Sequence, residues 1–207
     1  MALYLECHPP ASKGTSAIMT TRTTDTKLAP IFLDRWSPRA FDGSAMPQAD
    51  LDTILDAARF APSASNYQPW RFLYAHRGDA NWERFLSHLV PFNQDWAKTA
   101  SVLLYVLSET MMGERPSYTH SFDAGAAWGM LAIQATMLGY HTHGMAGVDY
   151  PGAAASLKVP ERFRVECAIA IGRLGDPATL PEALQAREFP SDRKPLAEIA
   201  YAGDFRG

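Results

Sequence analysis

Arg35 and Arg39 stand four residues apart in RWSPRAFD, with Trp36, Ser37 and Pro38 between them. Guanidinium groups at this spacing in an extended segment can converge on one phosphate, because each offers paired donors and stays charged at any physiological pH. Arg193 and Lys194 near the other end of the chain have the same capacity. The ordinary alternative is a set of surface ion pairs with Asp34, Asp42 or Asp192. A second cluster lies in APSASNYQPW, residues 61–70. There Ser63, Ser65, Asn66 and Gln68, set among Pro62, Ala64 and two aromatics, supply donors and acceptors without net charge. That suits the edge of a planar heterocycle with alternating carbonyls and ring nitrogens. A turn that satisfies only itself would use the same residue types. The third cluster is GMAGVD, where Met145, Ala146 and Gly147 leave room for a flat ring to approach the backbone amides.

A phosphate grip, a heterocycle edge and a ring face together describe flavin mononucleotide (FMN). Nothing else in the chain competes strongly for the chemistry. There is no GxGxxG after a strand, no GxxxxGK[ST], no HExxH, no GxSxG and no CxxC. His141 and His143 with Asp149 give two candidate metal ligands and a doubtful third, too few for the usual site. No metal and no side-chain nucleophile are expected.

Composition narrows the class further. Apolar residues make up 47% of 207 and charged residues 20%, as in a folded globular protein of one domain. A net charge of −3 with no Lys/Arg run argues against a nucleic-acid partner. The greasiest stretch, 124–138, is broken by Gly129 and Gln134 and falls short of a membrane span. Cys7 and Cys167 are the only cysteines, one in a polar leader and one in an apolar run, so a reducing cytoplasm fits best. Residues 1–26 lack a true hydrophobic h-region and are expected to form a flexible extension, with Met19 as an alternative start. Residues 27–207 are expected to form the single domain.

These clusters need elements to position them. Leu51, Ile54, Leu55 and Ala58 recur on one helical face behind Pro47, and Ala61-Pro62 ends the pattern. RFLYAH predicts a strand at 71–76, and Trp82, Phe85, Leu86 and Leu89 predict a helix after Gly78. PFNQDWAK is expected to be a loop. ASVLLYVLSE predicts a strand covered on both faces, in the middle of a sheet. Asp123 to Tyr140 predicts a long helix apolar nearly all round, buried on several sides. HTHGMAGVDYPG is expected to be a glycine-containing loop, LKVPERF a helical turn and VECAIAIG another buried strand. The proline-punctuated last thirty residues predict an extended arm. The order implies an α+β fold, a three-layer α/β/α sandwich, whose long arms wrap a second subunit. Phe92, Trp96, Met111, Met112 and Tyr118, in polar surroundings, are candidates for a pocket mouth or for plain packing.

Four segments in order resemble the FMN-dependent nitroreductase family: RWSPRAFD, APSASNYQPWRF, DAGAAWGMLAIQATMLGY, and GMAGVD followed by AIAIGRLGD. The resemblance runs from about Leu33 to Phe205. It implies a mostly antiparallel sheet, a long buried helix, arms exchanged between subunits, and a homodimer holding FMN at its interface. By position it implies that Arg35, Ser37, Arg39 and Arg193 hold the phosphate, beside Trp36. Ser63 and Ala64 would come from the other subunit, with Pro62, Ser65 and Gln68 in the same segment. Asn66 would bond the pyrimidine edge, and Met145, Ala146 and Gly147 would lie against the ring. Ser191 stands where many members carry a basic residue, with Lys194 as a possible substitute. No side chain is implied as catalytic, since flavin N5 carries the chemistry. NAD(P)H would reduce the flavin, and a nitroaromatic, quinone or similar acceptor would reoxidise it in a ping-pong cycle. The alternative is an FMN-binding carrier, sensor or flavin protein without that turnover.

Overall fold

The computed structural model describes residues 22–206. Cys7, Met19 and most of the expected N-terminal extension lie outside that range. A single helical turn, α1 (Ile31–Asp34), leads into the irregular RWSPRA segment. Helix α2 (Gln48–Arg59) starts behind Pro47 and buries Leu51, Ile54 and Ala58. Next come strand β1 (Trp70–His76), helix α3 (Trp82–Leu86), helix α4 (Pro91–Ala97) and strand β2 (Val102–Glu109). A small hairpin, β3 (Met111–Met112) with β4 (Arg115–Pro116), precedes the 18-residue helix α5 (His120–Met137). Strand β5 (His141–Met145), helix α6 (Tyr150–Ser156), strand β6 (Phe163–Gly172) and the short helix α7 (Glu182–Gln185) complete the order. No helix among the described residues is long and apolar enough to cross a membrane.

The main sheet runs β1-β2-β6-β5 with every neighbouring pair antiparallel. Strand β2 is paired on both edges, Leu104 lying between Tyr74 of β1 and Ile169 of β6. Its side chains alternate between two cores, which is why the run is apolar without interruption. Leu103, Tyr105 and Leu107 join Trp82, Phe85, Trp96 and Ala153 on the face covered by α3, α4 and α6. Val102, Leu104 and Val106 join Leu51, Ile54, Leu131 and Ala135 on the face covered by α2 and α5. The result is the three-layer α+β sandwich expected.

Three local expectations are corrected. PFNQDWAK is helix α4 rather than a loop: Pro91 occupies the first turn, where its missing N–H costs nothing, and Trp96 and Ala97 are buried beneath it. HTHGMAGVDYPG is not a loop either. Its first half is edge strand β5, because pairing with β6 overrides the weak strand propensity of glycine and histidine. Its second half enters α6, where Asp149 accepts from the Gly152 N–H at 3.1 Å. LKVPERF follows the end of α6 at Ser156 as hydrogen-bonded turns rather than a helical turn, with Lys158 at φ 54° turning the chain toward β6.

Helix α5 is buried on one side only. Ala124, Ala127, Leu131 and Ala135 face the interior, whereas Phe122, Gly125, Gly129, Met130 and Met137 are exposed.

Candidate functional site

The RWSPRA segment is held open by side chains from distant parts of the chain. Glu188 Oε1 accepts the backbone N–H of Arg39 at 2.5 Å and of Ala40 at 2.8 Å. Its Oε2 lies 3.8 Å from Arg39 Nη1 and accepts no hydrogen bond among the described residues, on a side chain only 1% exposed. From strand β5, His143 donates its Nδ1–H to the Pro38 carbonyl at 2.9 Å, which leaves Nε2 with the lone pair. The same imidazole packs on Trp96 with ring centres 4.6 Å apart, and Trp36 meets His141 edge-on at 6.1 Å.

So held, the segment forms one wall of a cavity of about 340 Å³. Arg22, Arg35, Trp36, Ser37, Arg39 and His143 line it from the N-terminal half, and Arg187, Phe189, Ser191 and Arg193 from the C-terminal segment. Five guanidinium groups thus share one hollow, and among the described residues the ion pair with Glu188 falls to Arg39. Burial, followed by the charges of Arg193 and Arg22, lowers the pKa of Arg35. Burial and then Arg193 lower that of Arg22 in the same way, opposed by Asp192. Such crowding of like charge is unfavourable by itself and is relieved by an anion. A phosphate dianion has the charge and the acceptor geometry that paired guanidinium donors match. Burial drives the pKa of both His141 and His143 down to about 4, with Arg35 adding to the effect at His141 and Arg39 and Arg35 at His143. Both rings are therefore neutral at neutral pH.

The amide-rich segment lies elsewhere. Ser65, Asn66 and Gln68 all have φ between 52° and 54°, a left-handed conformation uncommon for non-glycine residues. Two groups hold it there: Ser63 Oγ accepts the Gln68 N–H at 3.0 Å, and buried Asp123 of α5 accepts the Ala64 N–H at 3.2 Å. Thr119 adds its hydroxyl to the same carboxylate at 3.0 Å. The backbone is thus satisfied locally, while Ser65 and Asn66 are exposed, and Pro62 beside them is too. Strain over-determined by its surroundings is a recurrent mark of ligand-holding segments.

The third segment follows β5. Met145 is buried and packs in the core, while Ala146 is exposed. Gly147 sits close against its neighbours: a Cβ there would meet Asn93 Nδ2 at 2.6 Å and Val90 Cγ2 at 2.8 Å, so those side chains would have to move. Its carbonyl accepts from Val90 N at 3.0 Å and Asn93 Nδ2 at 3.3 Å, and among the described residues no acceptor takes up its own N–H.

The structure therefore gathers Arg35, Trp36, Ser37, Arg39 and Arg193 in one hollow. It leaves Pro62, Ser63, Ala64, Ser65, Asn66, Gln68, Met145, Ala146 and Gly147 outside that lining. Ser191 is in the lining and Lys194 is not; the additional basic residue of the C-terminal segment is Arg187. Arg22, Arg187 and Glu188 escaped the reading of the sequence, and His143 reads there as a candidate metal ligand rather than as part of this hollow. Only His143 had a local signal, the alternation of HTHGM on an edge strand. Among the pocket-mouth candidates Trp96 is core at 2% exposure, Phe92 and Tyr118 are exposed, and Met111 and Met112 are half-buried in the hairpin. No cluster of three or more metal-ligating side chains occurs among the described residues.

The family model described as the nitroreductase family matches residues 33–173. A solved oxidoreductase containing FMN is 52% identical, covers 91% of this chain and 98% of its own, and superposes with a TM-score of 0.89. A curated protein of Mycolicibacterium smegmatis, known as an uncharacterized 15.4 kDa protein in the ask 5′ region, is 36% identical over 141 residues, 64% of this chain and 95% of its own. An Archaeoglobus fulgidus protein named for NADH dehydrogenase/NAD(P)H nitroreductase activity is 30% identical over 105 residues, 51% of this chain and 59% of its own. On the family match across residues 33–173, the chain belongs to the nitroreductase family.

Proposed function

We propose that this protein is an FMN-dependent oxidoreductase that moves two electrons from NAD(P)H to a nitroaromatic, quinone or similarly electron-poor acceptor, as a cytoplasmic homodimer. The observation that carries the reading is the hollow of five arginines, which suits the phosphate of a mononucleotide. The solved relative that contains FMN, at 52% identity over nearly the whole chain, supports it.

In this reading Arg35, Arg39 and Arg193, with Ser37, hold the phosphate. Asn66 and Gln68, from the second subunit together with Ser63 and Ala64, bond the uncharged edge of the ring. The unpaired Gly147 N–H offers the ring a fixed donor, and Ala146 beside it leaves the approach open. When bound, the flavin supplies hydride acceptance at N5 and return of two electrons to the acceptor, in ping-pong order. The neutral histidines in and behind the hollow leave its positive charge to the arginines. The exposed apolar stripe of α5 and exposed Ile199 and Phe205 of the C-terminal segment favour a second subunit.

Anaerobic mixing with NADH and with NADPH tests the proposal. The purified protein should be yellow, lose its visible band on mixing, and regain it with a quinone or nitroaromatic. A band that persists with both nicotinamides would make the protein a flavin carrier or sensor. A colourless protein that takes up no FMN would overturn the reading entirely.

A further inference from the structure

Arg22 lies ahead of the region matched by the family and within the stretch expected to be a free arm. Its guanidinium joins two segments far apart in the chain. Nη1 donates to the carbonyls of Leu33 at 3.1 Å and Arg35 at 2.9 Å, and Nε donates to the carbonyl of Ser191 at 2.8 Å. The Ser191 carbonyl also accepts from Arg193 Nη1 at 2.9 Å, so one oxygen carries both arginines. Arg22 lines the arginine hollow as well.

We propose that Arg22 is a positioning residue for the cofactor phosphate, tying the Arg35 segment to the Ser191–Arg193 segment so that arginines from both ends of the domain face one hollow. The proposal rests on the FMN reading above. Its physical basis is the type of acceptor used. The carbonyl oxygens of Leu33, Arg35 and Ser191 accept from Arg22, so the bridge between the two segments is built on neutral acceptors. A carboxylate in the same place would fix the segments equally well and cancel the attraction for a phosphate. The fork geometry matters too, because two nitrogens of one rigid plane reach both segments at once, which a single ammonium does less well.

The experiment compares FMN with riboflavin, which lacks the phosphate, in titrations of the flavin-free full-length protein followed by flavin fluorescence. For the wild type, FMN should bind much more tightly than riboflavin. In Arg22→Ala, FMN affinity should fall by about tenfold or more while riboflavin affinity changes by less than about twofold. Arg22→Lys, which keeps the charge and loses the fork, should fall between. Equal loss for both flavins, or an unchanged ratio of the two, would overturn the proposal. Where the alanine variant does not fold, the same ratio in Arg22→Lys decides. A wild type that binds both flavins alike would instead sink the phosphate reading itself, which the variants alone cannot do.

Discussion

Arg35 and Arg39 share the hollow but differ in what their loss would expose. Arg35→Ala removes a cation whose neighbours are like charges, so its cost should appear in cofactor binding: about 1.5–3 kcal/mol, or on the order of tenfold to a hundredfold weaker FMN retention, with little change in melting temperature. Arg39→Ala should weaken FMN comparably and also destabilise the fold, by about 1–3 kcal/mol, because the Glu188 carboxylate is left buried without its cation. Flavin content and thermal melts of the two purified variants check both statements. The histidines carry a separate expectation. With folded-state pKa values of about 4 against an ordinary 6.5, His141 and His143 bind fewer protons folded than unfolded across that interval. Stability is therefore full above pH 6.5 and falls as the pH drops toward 4, by about 2 kcal/mol for each histidine between pH 7 and pH 5. Urea unfolding of the flavin-free protein at those two pH values measures it, and a flat response would contradict the burial described. Arginines on neighbouring positions of one segment were legible in the sequence because their spacing is local. Arg22 and Arg187 were not, since their convergence with Arg35 depends on how the two ends of the chain return to the same edge strand.

At the level of elements, the long apolar runs announced themselves and the short polar ones did not. Helix α2, strands β1, β2 and β6 and helix α5 each carry enough periodicity or β-branched content to outweigh local ambiguity. Strand β5 carries little of either; its strand form comes from β6, which offers it a partner edge. The same element shows how closely the layers meet. A Cβ on Gly144 would lie 2.7 Å from Cζ2 of Trp128 on α5, inside any real contact distance. Gly144→Ala should push β5 away from the helix and destabilise the protein by about 1–3 kcal/mol. Calorimetry of the variant would show the loss, and an unchanged transition would mean the Trp128 ring yields freely. Because β5 also carries His143 and leads into Ala146 and Gly147, flavin binding should weaken along with stability.

Across the whole molecule, one side of α5 is left apolar and open. Gly125 and Gly129 have no atom within 4 Å of where a Cβ would be, and Phe122 is 80% exposed beside them. Small residues flanked by large apolar ones suit close approach of a second copy of the helix. In the proposed homodimer, Gly129→Glu would put a charge into that contact without disturbing the chain's own packing. It should convert a dimer into a monomer by light scattering, and the monomer should hold flavin poorly because the 62–68 segments would no longer reach the partner's site. The three layers were readable in advance, whereas which face of α5 stays open was not, since an apolar helix looks the same whether its own domain or another subunit covers it. The pairing of β2 with β6 has a consequence for synthesis. Strand β2 ends at Glu109, yet the strand that covers its second edge is complete only at Gly172. While the ribosome makes the stretch between them, a greasy, unpaired ladder of backbone groups waits in the nascent chain, an invitation to chaperones and to neighbouring polysomes alike.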